Sequence, residues 1–427
     1  MRALYTAAWW LAAALAPVKL WWRGRREPGY REHVGERYGR YAGPSPVGDD
    51  DEVIWIHAVS VGETRAAGPL VDQIARARPN ARIVATSMTA TGRETARSLW
   101  GDRVHRAWLP YDLPGAMRRF LERYHPRAGL LMETELWPNL AAEARRAGVP
   151  LFLVNARLSE RSATGYARVP ALVRPMLESL AGVAAQTAAD AARLRALGAR
   201  EVVIAGNVKF DVAAPADASA RAADLRRSFG PRRPVFLAAS TRDGEEALII
   251  DALLRDPLPG ESLALIVPRH PQRFDEVGSL LAARGLAFAR RSDGGAVAAG
   301  TTFVLGDTMG ELAAYYGAAD VAYVGGSLVP LGGQNLIEAI AAGTPVLVGP
   351  HTFNFADAAQ GAIDAGAAMR VADAAALVRT AGSLIGDPAG REVMREAGRA
   401  FLARHRGATA RTWAYVEARL AGRRPPG

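Results

Sequence analysis

Glu63 stands where the apolar run of "IHAVSVGETRAAGPL" gives way to a helical pattern, directly after Gly62. A carboxylate at such a junction has two uses. It can cap the free N–H groups of the helix start, or it can take a proton as a general base. The positive end of the helix is expected to lower its pKa and keep it ionised near neutral pH. "LLMETELWPN" brings Glu133 and Glu135 to another strand end, where an extended backbone would put both on one face. "NARLSERS" adds Arg157, Ser159, Arg161 and Ser162, and "GNVKFD" adds Asn207, Lys209 and Asp211.

A second group of residues suits an anion. "YVGGSLVPLGGQNLIEAIAAG" places Gly325, Gly326, Gly332 and Gly333 between an apolar run and a helical pattern. Glycines there imply sharp bends or close approach to the backbone. A phosphate at the start of that helix would meet free N–H groups and a partial positive charge. Glu338 would lie one to two turns inside, at reach of a ribose diol; a tight turn without ligand is the alternative. "GDTMGEL" offers a second helix start with Thr308, Met309, Gly310 and Glu311, and "IVPRHPQRF" brings Arg269, His270 and Arg273. Arginine can grip a phosphate or carboxylate through two N–H groups. The chain has neither G-x-G-x-x-G nor G-x-x-x-x-G-K-[ST]. No His/Asp/Glu cluster stands at ligand spacing, so no metal site is expected, and no Ser-His-Asp arrangement can be picked out.

The elements that must position these residues alternate. "EVIWIHAV", "ARIVATSM", "AGLLMET", "PLFLVNAR", "VAAQT" and "VVIAGN" have strand character and are separated by helical stretches. Apolar strands without polar alternation imply a parallel sheet covered on both faces. Residues 211–234 interrupt the pattern with proline and alanine, as a crossing between domains. It then restarts with "VFLAAS", "LALIVPR", "LAFAR", "TTFVLGD", "VAYVGG" and "PVLVGP". Two Rossmann-like halves result, each binding ligands outside the carboxyl ends of its strands, with both edges expected to face one central cleft.

At 427 residues the chain is long enough for two or three domains, and 49% apolar residues describe a packed globular protein. Cysteine is absent, which excludes disulfides and thiolate metal sites. The charge of +10 points to an anionic partner. The arginines are dispersed through Ala/Arg-rich helices rather than clustered, which speaks against nucleic acid. At the N-terminus, Ala3 to Val18 carries no charge, with Trp9 and Trp10 within it, Trp21 and Trp22 beyond its end, and Arg23, Arg25 and Arg26 next. A buried helix and a signal peptide are alternatives, but Pro17 directly after "ALA" would block cleavage. The tryptophans and the arginine cluster favour a membrane-associated helix with the body on the cytoplasmic side.

Taken together, "WIHAVSVGE", "TSMTATG", "LPYDLP", "METELWPN", "NARLSERS", "GNVKFD", "PRHPQRF", "GDTMGEL", "VGGSLVPLGGQNLIEA" and "GPHTFNF" resemble the Kdo transferases, which attach 3-deoxy-D-manno-octulosonic acid (Kdo) to lipid A precursor. The resemblance implies an α/β chain of the GT-B glycosyltransferase fold. Residues 1–22 would form the membrane-associated helix, 23–212 the acceptor domain and 213–427 the CMP-Kdo domain, the last helix able to pack back on the first domain. It implies an inverting, metal-independent transfer from CMP-Kdo to the 6′-hydroxyl of lipid IVA, without a cofactor, at the cytoplasmic face of the bacterial inner membrane and its anionic lipid. Glu63 would be the base and Glu133 a second functional acid. Arg269, Ser327, Gly333, Asn335 and Glu338 would surround CMP, with Gly332 and the Thr308–Glu311 segment beside them. One departure concerns Gln334, where the family pattern leads one to expect histidine in G-G-H-N; "LIEA" also lacks an expected proline. Glutamine cannot become cationic, whereas the backbone phosphate site should survive. Another GT-B nucleotide-sugar enzyme, such as a UDP-sugar transferase or epimerase, would lack the "SVGE" and "METELWPN" pair, and a non-catalytic, membrane-tethered nucleotide-binding protein would tolerate loss of Glu63.

Overall fold

The computed structural model describes residues 1–48 and 50–422. The chain divides into two compact units, one of Met1–Val212 with the chain from His405 on, the other of Ala213–Arg404. The tail after His405 therefore belongs with the first unit, and the expected 213–427 domain is shorter at its end. The reason is local. Trp413, Val416 and Leu420 of the helix Ala408–Ala421 are buried in the core under the first sheet. Asp211 receives the N–H groups of Gly407 and Thr409 at that helix start, at 2.7 and 2.6 Å. A carboxylate is favoured there because it meets free N–H groups and the positive helix end.

The first unit holds seven parallel strands: β1 (Val53–His57), β2 (Arg82–Ser87), β3 (Val104–Trp108), β4 (Ala128–Met132), β5 (Leu151–Ala156), β6 (Gly182–Ala185) and β7 (Val202–Ile204). Their order is β3-β2-β1-β4-β5-β6-β7. Every residue of β1 and β4 is buried. Val53 and Trp55 enter the core on one face of the sheet, Ile54 and Ile56 the core on the other. Such double burial is what an apolar run without alternation requires. The chain runs outward from β1 to β3, then returns to the other side of β1 with β4. The switch point, where the order reverses, lies between β1 and β4.

The second unit repeats the plan with β8 (Val235–Thr241), β9 (Leu263–Pro268), β10 (Phe288–Arg290), β11 (Phe303–Leu305), β12 (Val321–Val324), β13 (Val346–Val348) and β14 (Ala368–Arg370). Their order, β10-β11-β9-β8-β12-β13-β14, puts the switch point between β8 and β12. In open parallel sheets ligands bind at the carboxyl ends beside such a point.

The N-terminal helix α1 (Arg2–Arg23) is long and apolar enough to cross a membrane by length and composition. One of its sides is docked on the first unit. Ala13 and Ala16 pack against Tyr111, Leu113 and Ala116. Trp9 lies 6.0 Å from Tyr111 and 5.5 Å from Trp137, and Tyr38 donates to the Ala13 carbonyl. The opposite side carries Leu4, Leu11, Leu15, Val18 and Trp22 at helical spacing, with Leu11 67% and Val18 69% exposed.

Candidate active site

At the β1 end of the first switch point, helix α2 (Val61–Ala77) starts after Ser60, whose Oγ accepts from the Glu63 N–H at 3.5 Å. The Glu63 carboxylate reaches back. Its Oε2 accepts from the Val59 N–H and its Oε1 from the Ser60 hydroxyl, both at 2.9 Å. Glu63 thus ties the helix start in a variant of the capping box that reaches the residue before the cap, the first of its two anticipated uses. "TSMTATG" holds the same loop from the side. Thr89 donates to the Val59 carbonyl at 3.0 Å, and a Cβ on Gly92 would lie 3.0 Å from that carbonyl. Only glycine fits so close to the loop.

Capping does not hold Glu63 at a low pKa, and here the structure corrects the expectation. Burial pushes it up to about 7, with the Glu133 and Glu135 charges adding to the rise, against the Val59 and Ser60 hydrogen bonds. Desolvation and like charge outweigh the helix end because the half-buried carboxyl folds back against its own loop and loses part of its water. A carboxyl raised towards neutrality in this way has the basicity that general-base chemistry needs.

Glu133 and Glu135 come from the other side of the switch point, after β4. They do not share an extended face. Glu133 has φ +57° at a turn, so the chain bends between the two acids. Glu133 pairs with Lys209 at 2.7 Å, and Glu135 accepts from the Trp137 indole at 3.1 Å. Burial raises the Glu135 pKa. Of the other anticipated residues, Ser159 caps the helix Glu160–Ala167 and Asn207 caps the turn Val208–Asp211. Asp211 is engaged with the tail, so these three build loops. Asp112, in "LPYDLP", was missed; its buried carboxylate accepts from the N–H groups of Asn139 and Leu140 at 2.9 and 2.7 Å, fixing the helix that follows Glu135. Among the described residues no three His, Asp or Glu side chains are placed to hold a metal ion.

At the second switch point the glycine loop folds back on itself. The Gly333 N–H donates to the Gly326 carbonyl at 2.7 Å and the Gln334 N–H to that of Gly325 at 3.0 Å. A Cβ on Gly325 would collide with the Ser240 carbonyl, and one on Gly332 with the Asn354 side chain. Two expectations change. The helix after the loop spans only Ile337–Ala341, and the one after "GDTMGE" only Leu312–Ala318. Neither is long enough to build a strong dipole, and the N–H groups of Gly333 and Gln334 already have partners. Ser327 is 0% exposed, with its Oγ donating to the Val324 carbonyl at 2.6 Å and accepting from the Gly349 N–H at 2.8 Å. It builds the loop rather than facing a ligand.

What holds this loop is Glu245, which sequence reasoning did not single out. Its fully buried carboxylate accepts from the N–H groups of Arg242 and Gly326 at 2.9 and 2.6 Å, and from the Leu328 N–H and Tyr323 hydroxyl at 3.0 and 2.5 Å. The signal was the acid pair in "STRDGEE", directly after a strand. Asn335 donates to Glu338 at 2.9 Å, and both are half-buried at the accessible side. Arg269 donates to Gln334 at 3.2 Å. Arg273, anticipated as an anion donor, is instead neutralised by Glu246 and Glu276, at 2.6 and 2.7 Å. Thr308 and Arg291 bind Glu311, which with Tyr315 hold its pKa down against the effect of burial. Met309 and Gly310 are exposed beside it.

The comparisons with known proteins agree with the sequence motifs. A family model described as 3-Deoxy-D-manno-octulosonic-acid transferase (kdotransferase) matches residues 32–212. The 3-deoxy-D-manno-octulosonic acid transferase of Bordetella pertussis is 48% identical over 97% of this chain and 99% of its own. That of Haemophilus influenzae is 38% identical, over 90% and 91%. Among solved structures, UDP-GlcNAc 2-epimerase from Neisseria meningitidis shares the fold with a TM-score of 0.59, covering 87% of this chain and 100% of that one at 15% identity. Two parallel, doubly covered sheets of this kind are the GT-B architecture. On its identity to these relatives along nearly its whole length, the chain belongs to the 3-deoxy-D-manno-octulosonic acid transferase family and is a glycosyltransferase.

Proposed function

We propose that this chain moves Kdo from CMP-Kdo to the 6′-hydroxyl of a lipid A precursor, with inversion and without a metal ion. Glu63 carries the reading. A carboxyl with a pKa of about 7 at a sheet's switch point suits a base that must be ionised yet still basic enough to take a hydroxyl proton. As the acceptor oxygen bonds to the anomeric carbon of Kdo, its proton passes to Glu63. The bond from that carbon to the phosphate oxygen breaks, and CMP leaves with the electron pair. The arginines after β8 and β9 favour that leaving charge. Glu338 and Asn335 suit the ribose, and Glu133 tunes the base. The outward stripe of α1 supports attachment to an anionic membrane, where a lipid acceptor resides.

Release of CMP from CMP-Kdo, followed with and without lipid A precursor and in excess EDTA, tests this. CMP should appear with the acceptor, whose mass should rise by whole Kdo units, and EDTA should change nothing. Activity lost in EDTA and restored by Mg²⁺ would overturn the metal-free mechanism; no Kdo on the lipid would overturn the acceptor. Leu11→Asp with Leu15→Asp should weaken binding to anionic vesicles and leave CMP binding unchanged. Unaltered vesicle binding would remove α1 as the anchor.

A further inference from the structure

The anion site of the second unit needs a source of positive charge that its loop does not provide. The helices after the glycine loop and after "GDTMGE" span only Ile337–Ala341 and Leu312–Ala318. The N–H groups of Gly333 and Gln334 are engaged within the loop. Gln334 is uncharged, and Arg273 is held by Glu246 and Glu276.

Topology supplies another candidate. The switch point lies between β8 and β12, so the loop after β8 faces the glycine loop directly. Its first residue beyond the strand is Arg242. A Cβ on Gly326 would lie 3.4 Å from Arg242 Cγ and 3.3 Å from Gln334 Nε2, so these two side chains flank the same opening of the loop. On the next strand, Pro268 pairs with Thr241, and the Arg269 N–H donates to the Thr241 carbonyl at 2.9 Å. Arg242 and Arg269 thus leave adjacent strand ends side by side. Burial and the charges of Arg242, Arg269 and Arg273 together lower the His270 pKa. Among the described residues no ion pair holds the Arg242 guanidinium; its backbone N–H and carbonyl are tied to Glu245.

We propose that Arg242 binds the phosphate of the nucleotide donor, beside Arg269, and that Gln334 is a positioning residue that aims Arg269 at the same group. The inference rests on reading this unit as the CMP-Kdo site. Gln334 then serves through its carbonyl, which accepts from Arg269 Nε, and Arg242 supplies the charge that glutamine lacks.

The test compares CMP, cytidine and CMP-Kdo on the full-length protein, by calorimetry. Arg242→Ala should weaken CMP by about 10- to 100-fold, the range of a charge-assisted hydrogen bond. It should leave cytidine unchanged, and Arg242→Lys should recover part of the loss. Glu338→Ala, by contrast, should weaken CMP and cytidine alike. Gln334→Ala should raise the KM for CMP-Kdo more than it lowers kcat. If Arg242→Ala binds CMP normally while Glu338→Ala does not, Arg242 is no phosphate ligand and the donor site stands. Equal loss of cytidine and CMP in Arg242→Ala would make its role structural and overturn the proposal. A loss confined to CMP-Kdo would move Arg242 to the sugar carboxylate and overturn the phosphate assignment. A wild-type protein that binds no CMP would sink the donor-site reading itself, and this inference with it.

Discussion

The two switch points occupy the same place in two copies of one architecture and carry opposite charge. After β1 and β4 stand Glu63, Glu133 and Glu135; after β8 and β9 stand Arg242 and Arg269. Each edge also holds a residue of the other sign that it needs for order. Lys209 pairs with Glu133 at the acidic edge. Glu245 ties the glycine loop at the basic edge through four hydrogen bonds. The difference teaches that the sheet provides only a position. Chemistry is set by the loop residues, and the counter-charge keeps each loop in shape. On the proposed function the acidic edge would take a proton and the basic edge would accept an anion.

The contrast breaks most sharply at Glu63. Glu63→Gln keeps the side-chain shape but cannot take a proton, so turnover should fall at least ~100-fold. CMP affinity should hold, because the proposed donor site lies at the other edge. Near-normal turnover in the folded variant would leave Glu63 a cap and nothing more.

Glu245→Ala should act on the opposite edge. It strips the carboxylate from the N–H groups of Arg242 and Gly326 and from the buried Tyr323 hydroxyl, and leaves the Leu328 N–H to Tyr323 alone; each unsatisfied group costs about 1–3 kcal/mol. Some will find water, so a loss of roughly 3 kcal/mol in stability is expected by denaturant titration, together with lost CMP binding. A variant as stable as the parent, with normal CMP affinity, would mean that the glycine loop holds itself.

A smaller effect sharpens the electrostatics of the acidic edge. The Glu133 charge raises the pKa of Glu63. Glu133→Gln should therefore move the acidic limb of the kcat/KM profile below its position near pH 7. Lys209→Met removes the cation that offsets Glu133 and should move the limb up. A base at Glu63 would have to be ionised to act, so activity should be lost as pH falls through that limb in every case. Shifts in the same direction for both variants would show that the pair acts by shape rather than by charge.

Much of the fold was legible because its causes are local. Apolar runs such as "VIWIH" and "VFLAAST", repeated between helical stretches, point to doubly covered parallel strands, and the restart after residue 234 marks a second unit. Glu63 was legible as a residue, standing where strand meets helix. Its pKa was not, since it depends on burial in the folded chain and on the charges of Glu133 and Glu135, which come from a loop about seventy residues on. The glycine loop was legible as a bend but misread as a helix start. Its N–H groups turn back to Gly325 and Gly326, a tertiary choice that no spacing announces.

The sequence by itself determined the alternation of strands and helices, the apolar N-terminal segment and the motifs that mark the family. Those follow from side-chain polarity at short range, where the chain has few alternatives. Only the tertiary structure decided which edge loops meet at a switch point, because strand order is a matter of packing between distant segments. It alone set Arg242 beside the glycine loop, buried Glu245 beneath it and returned the tail to the first unit. It also docked one side of α1 and left the other bare. The physical reason is the same in each case. Desolvation and charge depend on all neighbours in space, and a sequence lists only the neighbours along the chain.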